Sequence, residues 1–265
     1  MNRIGFIGAG NMGAAILGGI IESKSCFSEN IFVCDKIVSD YVRSLKVNIC
    51  SLKETVESSD CIVLAVKPSG LGSVLEDIKS VKDYDKKLYI SIAAGFKIEN
   101  IEKILGNAKI IRVMPNICLK ALEGMTVMAS NENCSSDDTD TAEKIFSTCG
   151  KTAWVKEELI DGCTAINGSG PAYVFMFMEA LADAAVKNGI NRETANLLAC
   201  QTVLGSAKLM METGVHPGKL KDMVCSPGGT TIEAVAKLEE KGFRDAVISA
   251  VDACVEKAVK MSKHN

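Results

Sequence analysis

The chain has 265 residues, 47% hydrophobic, 24% charged and 5% aromatic, which is enough apolar material for one large or two smaller cored domains and excludes a disordered or collagen-like chain. Thirty basic and 33 acidic residues leave a net charge of −3, so no basic field is available for phosphate backbones and nucleic acid is not an expected partner. The longest uncharged apolar runs, Cys61 to Val66 and Tyr173 to Met178, are far short of the roughly 20 residues that span a bilayer, and Met1 to Gly10 has no cleavable signal pattern, so a cytoplasmic location without a membrane partner is expected.

From the start to about residue 156, short β-rich apolar runs alternate with segments of helical period, the pattern of βαβ units in a mostly parallel sheet. Strands are predicted at Ile4 to Ile7, Ile31 to Cys34, Cys61 to Val66, Leu88 to Ile92 and Ile110 to Met114, with weaker ones at Thr126 to Ala129 and Thr152 to Val155. Amphipathic helices lie between them. One covers Asn11 to Ser23, and another covers Ser135 to Cys149, where Ser135, Ser136 and Asp137 offer an N-cap and Gly150 a stop.

After about residue 157 β-branched runs nearly vanish, and Ala, Leu, Met, Glu and Lys take over with helical spacing. Pro171 opens a predicted helix that runs to about Asn188 and is ended by Gly189, and Asn191 caps another that runs through Met211 to Gly214. Pro217 and Pro227 punctuate the next segment, Pro227-Gly228-Gly229 is a turn, Thr230 to Lys241 forms a helix ended by Gly242, and Phe243 to Ser262 forms the last. The helix after Pro171 is apolar on most sides, from Val174 to Val186, and such a helix wants burial all round. A helical part of about 110 residues does not easily hide it alone, so a second subunit is the expected cover. The fold class is therefore α/β: a doubly wound sheet domain over 1–156, then an all-helical dimerisation domain over 157–265.

Eleven cysteines are scattered without a CxxC pair, and only His216 and His264 could add imidazoles, so no metal site is expected and the thiols read as small buried side chains in a reducing compartment.

Gly8-Ala9-Gly10-Asn11-Met12-Gly13 completes GxGxxG directly between the first strand, ending at Ile7, and the first helix. The first glycine permits the tight turn, the second lets backbone approach a pyrophosphate, and the third lets helix and strand pack closely, while the helix N-terminus supplies N–H donors. This marks the sheet as Rossmann-like. Asp35 ends the second strand 22 residues beyond Gly13, where an acidic residue bonds adenosine ribose hydroxyls and favours NADH, while Lys36 and Arg43 stand close enough in sequence to compensate a 2′-phosphate. Ala65-Val66-Lys67-Pro68, Ala93-Ala94-Gly95 and Met114-Pro115-Asn116 close the next three strands at the same carboxyl edge, where small residues admit the nicotinamide ribose and Asn116 is able to bond a carboxamide or ribose.

The usual catalytic motifs are missing, with no GxSxG and no HExxH. The helical part offers instead Cys225-Ser226-Pro227-Gly228-Gly229-Thr230-Thr231, hydroxyls and glycines that lead into a helix N-terminus and make a ready carboxylate site.

Taken together, GFIGAGNMG at Gly5 to Gly13, RVMPN at Arg112 to Asn116, GSGPAY at Gly168 to Tyr173 and SPGGTTI at Ser226 to Ile232 resemble pyrroline-5-carboxylate reductase over nearly the whole chain, in the family's order and spacing. The resemblance implies reduction of Δ1-pyrroline-5-carboxylate to L-proline by NADPH or NADH, the last step of proline biosynthesis. It also implies a helical domain that interlocks with its mate in a homodimer, with larger rings of dimers in some members. By the same resemblance Thr231 is the catalytic hydrogen-bond donor to the ring nitrogen, the amides of Gly229, Thr230 and Thr231 hold the carboxylate, and Ser226 and Gly228 shape the turn. The chain departs from the family at Ile117-Cys118, where Thr-Pro is usual, and at Asn167, where serine or alanine is frequent.

Two other readings compete. A β-hydroxyacid dehydrogenase of the 6-phosphogluconate type shares GxGxMG and a helical second domain, yet it expects a lysine soon after a glycine-rich segment, and none follows Gly168-Ser169-Gly170 until Lys187. A non-catalytic NAD(P) sensor needs the cradle but has no use for the SPGGTTI turn.

Overall fold

Eight short runs pair into one sheet: β1 (Ile4–Ile7), β2 (Ile31–Cys34), β3 (Asn48–Ile49), β4 (Cys61–Leu64), β5 (Leu88–Ser91), β6 (Lys109–Met114), β7 (Gly124–Ser130) and β8 (Gly150–Trp154). Their order is β3-β2-β1-β4-β5-β6-β7-β8. The structure, a computed structural model, describes residues 3–264; Met1 and Asn2, at the head of the segment read for a signal, lie outside it. All neighbouring strands run parallel except β6 and β7, which pair antiparallel with Met114 opposite Val127. Ile7 stands opposite Leu64, Leu64 opposite Ser91 and Ser91 opposite Arg112, so the carboxyl ends of β1, β4 and β5 form one level edge, which β6 overruns as far as Met114.

Chain reversal on either side of β1 puts helices on both faces, and two separate cores result. Phe6, Ile16, Leu17, Ile20 and Val33 pack on one face, and Ile7, Ile62, Leu64, Leu75 and Ile101 on the other. The strongly buried runs were the ones whose apolar character is continuous. β3 escaped because two residues, one of them Asn48, show no period. β4 stops at Leu64, before the predicted Val66, because Pro68 takes the first helical position of Pro68–Lys79 and holds Lys67 extended.

Capping follows the side chains. Ser135 accepts from the Asp138 amide, and Asp138 accepts from the Ser135 amide in return, a reciprocal box at the start of Ser136–Phe146. Replacing Ser135 by alanine is expected to lower stability by about 1 kcal/mol, read from chemical denaturation at pH 7.

Contacts gather into two units, one of residues up to Ser169 together with those from Cys254 onward, the other Gly170–Ala253. The composition changes near 157, but residues 157–169 still pack with the sheet: Ile160 is fully buried with Met114, Val127 and Ala129. Arg112 on β6 is a further anchor, 1% exposed, with Nη2 2.8 Å from Asp161 and Nη1 3.3 Å from Glu157. A guanidinium so placed is tolerable only while both carboxylates face it. Arg112→Ala strands those carboxylates and is expected to destabilise the first unit by about 3 kcal/mol, a loss visible in the denaturation midpoint.

The second unit consists of helices Gly170–Lys187, Arg192–Thr213, Pro217–Val224 and Thr230–Glu240, with the start of Phe243–His264. Asn191 caps the second of these by accepting from the Thr194 amide. Pro217–Val224 corrects the reading of Pro217 as mere punctuation, since the proline occupies the first helical turn and the His216 imidazole accepts from the Gly218 amide. Inside this unit the buried cluster is small: Ala182, Ala195 and Ala199. Helix Gly170–Lys187 buries only Ala182 among its described residues, and Phe175, Met176, Leu197 and Met211 are 58 to 69% exposed. Among the described residues no helix is long and apolar enough to cross a membrane.

Candidate active site

At the end of β1 the chain turns through Gly8, whose φ is +95°, and its amide donates to Cys34 O at 2.8 Å. A Cβ there would stand 2.6 Å from Ala65 O, so the turn admits no side chain. A Cβ on Gly13 would meet Gly8 O at 2.8 Å, which is the close helix-to-strand approach that the third fingerprint glycine serves. Gly10 differs: apart from its own chain neighbours, nothing lies within 4 Å of its Cβ position. It is the N-cap of Asn11–Glu22 and provides no side-chain cap, so no capping side chain takes the first-turn amides, which carry the positive end of the helix dipole. A turn whose largest side chain is the buried Ala9 methyl, an uncapped helix start and open room beside Gly10 fit a pyrophosphate.

Asp35 closes this turn from the side. Its Oδ2 accepts from the Ala9 amide at 2.5 Å and its Oδ1 from the Ile37 amide at 3.0 Å. Spacing from the fingerprint predicts a ribose contact for Asp35; the structure shows its carboxylate bracing the glycine turn against the loop after β2. Lys36 beside it is exposed.

Ala65 continues beyond β4 with its amide on Ile7 O at 2.8 Å, leading into Val66, Lys67 and Pro68, and Ile92 continues beyond β5 with its amide on Leu64 O at 3.1 Å, leading into Ala93, Ala94 and Gly95. Gly95 has φ +71° and is buried, so the glycine is required by the bend. These segments lie together on the level edge. Asn116, after β6, is turned inward. It is 7% exposed, and its Oδ1 accepts from the amides of Cys118 at 3.2 Å and Met125 at 3.3 Å, so the acceptor that a carboxamide would need is spent on shaping the loop.

Sequence reasoning missed the supports of this edge. Asn167 is buried, and its Nδ2 donates to Met114 O at 2.8 Å and Met125 O at 3.2 Å, which ties the end of β6 to the start of β7. Glu157 binds Arg112 and also accepts from the Ile98 amide at 2.7 Å. The partners are 42 to 59 residues apart in the chain, and the sole hint was the unusual asparagine before Gly168.

In the second unit the Ser226-to-Thr231 segment forms a tight turn. Gly229 N donates to Ser226 O at 3.0 Å, and Gly228 takes φ +63°. A Cβ on Gly229 would stand 2.3 Å from Ser226 Oγ. Gly229 is the N-cap of Thr230–Glu240 and brings no capping side chain, leaving the amides of Thr230 and Thr231 open to a carboxylate. Thr231 is half-buried, while Ser226, Gly228 and Thr230 are exposed.

A family model described as pyrroline-5-carboxylate reductase dimerisation matches residues 157–261, and one described as NADP oxidoreductase, coenzyme F420-dependent, matches residues 3–95. The chain is 47% identical to the pyrroline-5-carboxylate reductase of Escherichia coli over 98% of each chain, and 38% identical to that of Arabidopsis thaliana over 98% of this chain and 96% of the relative. Among solved structures it is similar to the Plasmodium falciparum pyrroline carboxylate reductase with NADP bound, at 38% identity and TM-score 0.89 over 98% of each chain. The Coxiella burnetii pyrroline-5-carboxylate reductase gives 37% identity and TM-score 0.92 over 98% of each.

Proposed function

Because this chain belongs to the pyrroline-5-carboxylate reductase family, we propose that its reaction is divided between the glycine turn after β1, for the cofactor, and the Gly229 helix start, for the substrate. The protein is an NAD(P)H-dependent oxidoreductase that reduces Δ1-pyrroline-5-carboxylate to proline, and it is a homo-oligomer. Nothing in these likenesses supports the hydroxyacid dehydrogenase or the sensor. The larger ring of dimers and the cytoplasmic location complete the reading by family resemblance.

Bound NAD(P)H supplies a hydride for the imine carbon. The residues of the chain do the rest. Gly8, Gly10, Asn11, Met12 and Gly13 hold the pyrophosphate on backbone amides, with Ile7 as the end of the strand beneath them. Ala65, Val66, Lys67, Pro68, Ala93, Ala94 and Gly95 admit the nicotinamide ribose at the level edge, and Asn116 fixes the loop that borders it. The amides of Gly229, Thr230 and Thr231 take the substrate carboxylate on a helix N-terminus, and Ser226 and Gly228 set the turn. Thr231 Oγ1 donates a hydrogen bond to the ring nitrogen, which draws charge from the C=N bond and makes its carbon a better hydride acceptor. Hydride on carbon and a proton taken from water on nitrogen would complete the secondary amine. No side-chain nucleophile is needed.

The observation that carries this reading is the pair of glycine-capped helix starts that no side chain caps. The test follows nicotinamide fluorescence as Δ1-pyrroline-5-carboxylate is added to enzyme with NADPH and, separately, NADH, with a hydroxyacid plus oxidised cofactor as contrast. Rapid imine-dependent oxidation is expected; silence with the imine and turnover of the hydroxyacid would overturn it.

Asp35 sets the nucleotide preference in this reading, since a carboxylate beside the adenosine ribose repels a 2′-phosphate. Asp35→Asn is expected to raise the ratio of kcat/KM for NADPH over NADH by about tenfold, equivalent to about 1.4 kcal/mol. A ratio taken within one variant is insensitive to any loss of stability, and an unchanged ratio would remove Asp35 from this role.

A further inference from the structure

Two cysteines that the reaction does not use lie in register under the ribose end of the cofactor site. β2 and β3 pair parallel with Val33 opposite Ile49, and the ladder continues one step further, because the Cys50 amide donates to Val33 O at 2.9 Å. The next pair in register is Cys34 with Cys50. Registered residues of neighbouring parallel strands point to the same face and lie about 4.8 Å apart, inside the span of about 4.4–6.8 Å between Cα atoms that a disulfide bridges. Both residues are half-buried, and both are free thiols. β3 is a two-residue edge strand with one neighbour, so it can shift by the small amount that brings the sulfurs together. Cys34 immediately precedes Asp35, whose Oδ2 braces the Ala9 amide of the pyrophosphate turn.

The geometry points to Cys34 and Cys50 as a dithiol switch that forms a disulfide with a low-molecular-weight disulfide as oxidant and weakens cofactor binding by displacing Asp35. Cys50 thiolate attacks one sulfur of the small disulfide and releases one small thiol. Cys34 then displaces the second, so the protein gives up two electrons and two thiol protons, and the reagent leaves as two thiols. Burial raises the Cys34 thiol above its ordinary range, with the Asp35 carboxylate and Cys50 adding to it, and burial followed by Glu54 raises Cys50. Exchange is therefore slow, on the order of minutes to hours, and the pair ignores brief oxidation. A reductase that consumes NAD(P)H is thereby restrained when the thiol pool stays oxidised.

The inference rests on the cofactor reading above, and its test separates the two. Purified enzyme is held in glutathione buffers of graded oxidised fraction, alkylated, and digested without reduction for peptide mass analysis; NADP+ and NAD+ affinities are measured by calorimetry on the same samples. A Cys34–Cys50 cross-linked peptide is expected to accumulate with the oxidised fraction, with Kd rising about fivefold or more and returning on addition of dithiothreitol. Cys50→Ser, at the more peripheral strand, is expected to abolish both effects, and Cys34→Ser to do the same. Failure of the reduced enzyme to bind either nucleotide would overturn the cofactor reading instead. Mixed disulfides without the mutual cross-link, or a cross-linked protein with unchanged Kd, would overturn the switch.

Discussion

Gly8→Ala is expected to cost the protein both nucleotide binding and stability, whereas Gly10→Ala costs binding alone. At Gly8 the new methyl meets Ala65 O at 2.6 Å at a φ of +95°, so the turn must open, and the strain alone amounts to about 1–2 kcal/mol. The Gly10 methyl meets nothing within 4 Å beyond its own chain neighbours, so the folded chain accepts it. Yet in the proposed site it projects into the room of the pyrophosphate, so the affinity for NAD(P)H should fall by at least tenfold, about 1.4 kcal/mol. Fluorescence titration of the nucleotide and thermal melting of the two free variants separate these outcomes. Full affinity in Gly10→Ala would mean that the phosphates lie elsewhere.

Thr231→Val should leave the shape of the substrate turn intact and lower kcat by about 100-fold, the usual consequence of losing one donor aimed at developing charge. KM for the imine should change little, because the carboxylate is held by backbone amides that valine preserves. Thr231→Ser, which keeps the hydroxyl, should recover most of the rate. Thr230→Ala is the companion control: Thr230 is exposed and contributes through its amide, so its rate should match the parent. Steady-state kinetics with saturating NAD(P)H reads all three, and a Thr231→Val enzyme of parental kcat would end the assignment of that hydroxyl.

Much of the fold was legible because its determinants are contiguous. β1 and β2 matched their runs to the residue, since Ile4 to Ile7 and Ile31 to Cys34 are continuous apolar segments bounded by turns. The glycine turn after β1 and the Gly229 helix start were legible as local structure for the same reason, as both consist of backbone turned by glycine within a few consecutive residues. Side chains whose partners arrive from far along the chain were not. Arg112 reads in the sequence as an ordinary strand residue, and only folding brings Glu157 and Asp161 to it. Asp35 and Asn116 were placed at the correct edge, yet the amides that occupy their oxygens belong to other segments, and no periodicity announces them.

The helical unit leaves Phe175, Met176, Leu197 and Met211 more than half exposed and closes its own interior on three alanines. A dimerisation family model matches residues 157–261, and where a second copy covers that surface the stability of the unit belongs to no single molecule. Folding acquires a bimolecular step: the helices of one chain gain most of their burial only when a second chain arrives, so the time to reach the native state lengthens as the protein is diluted.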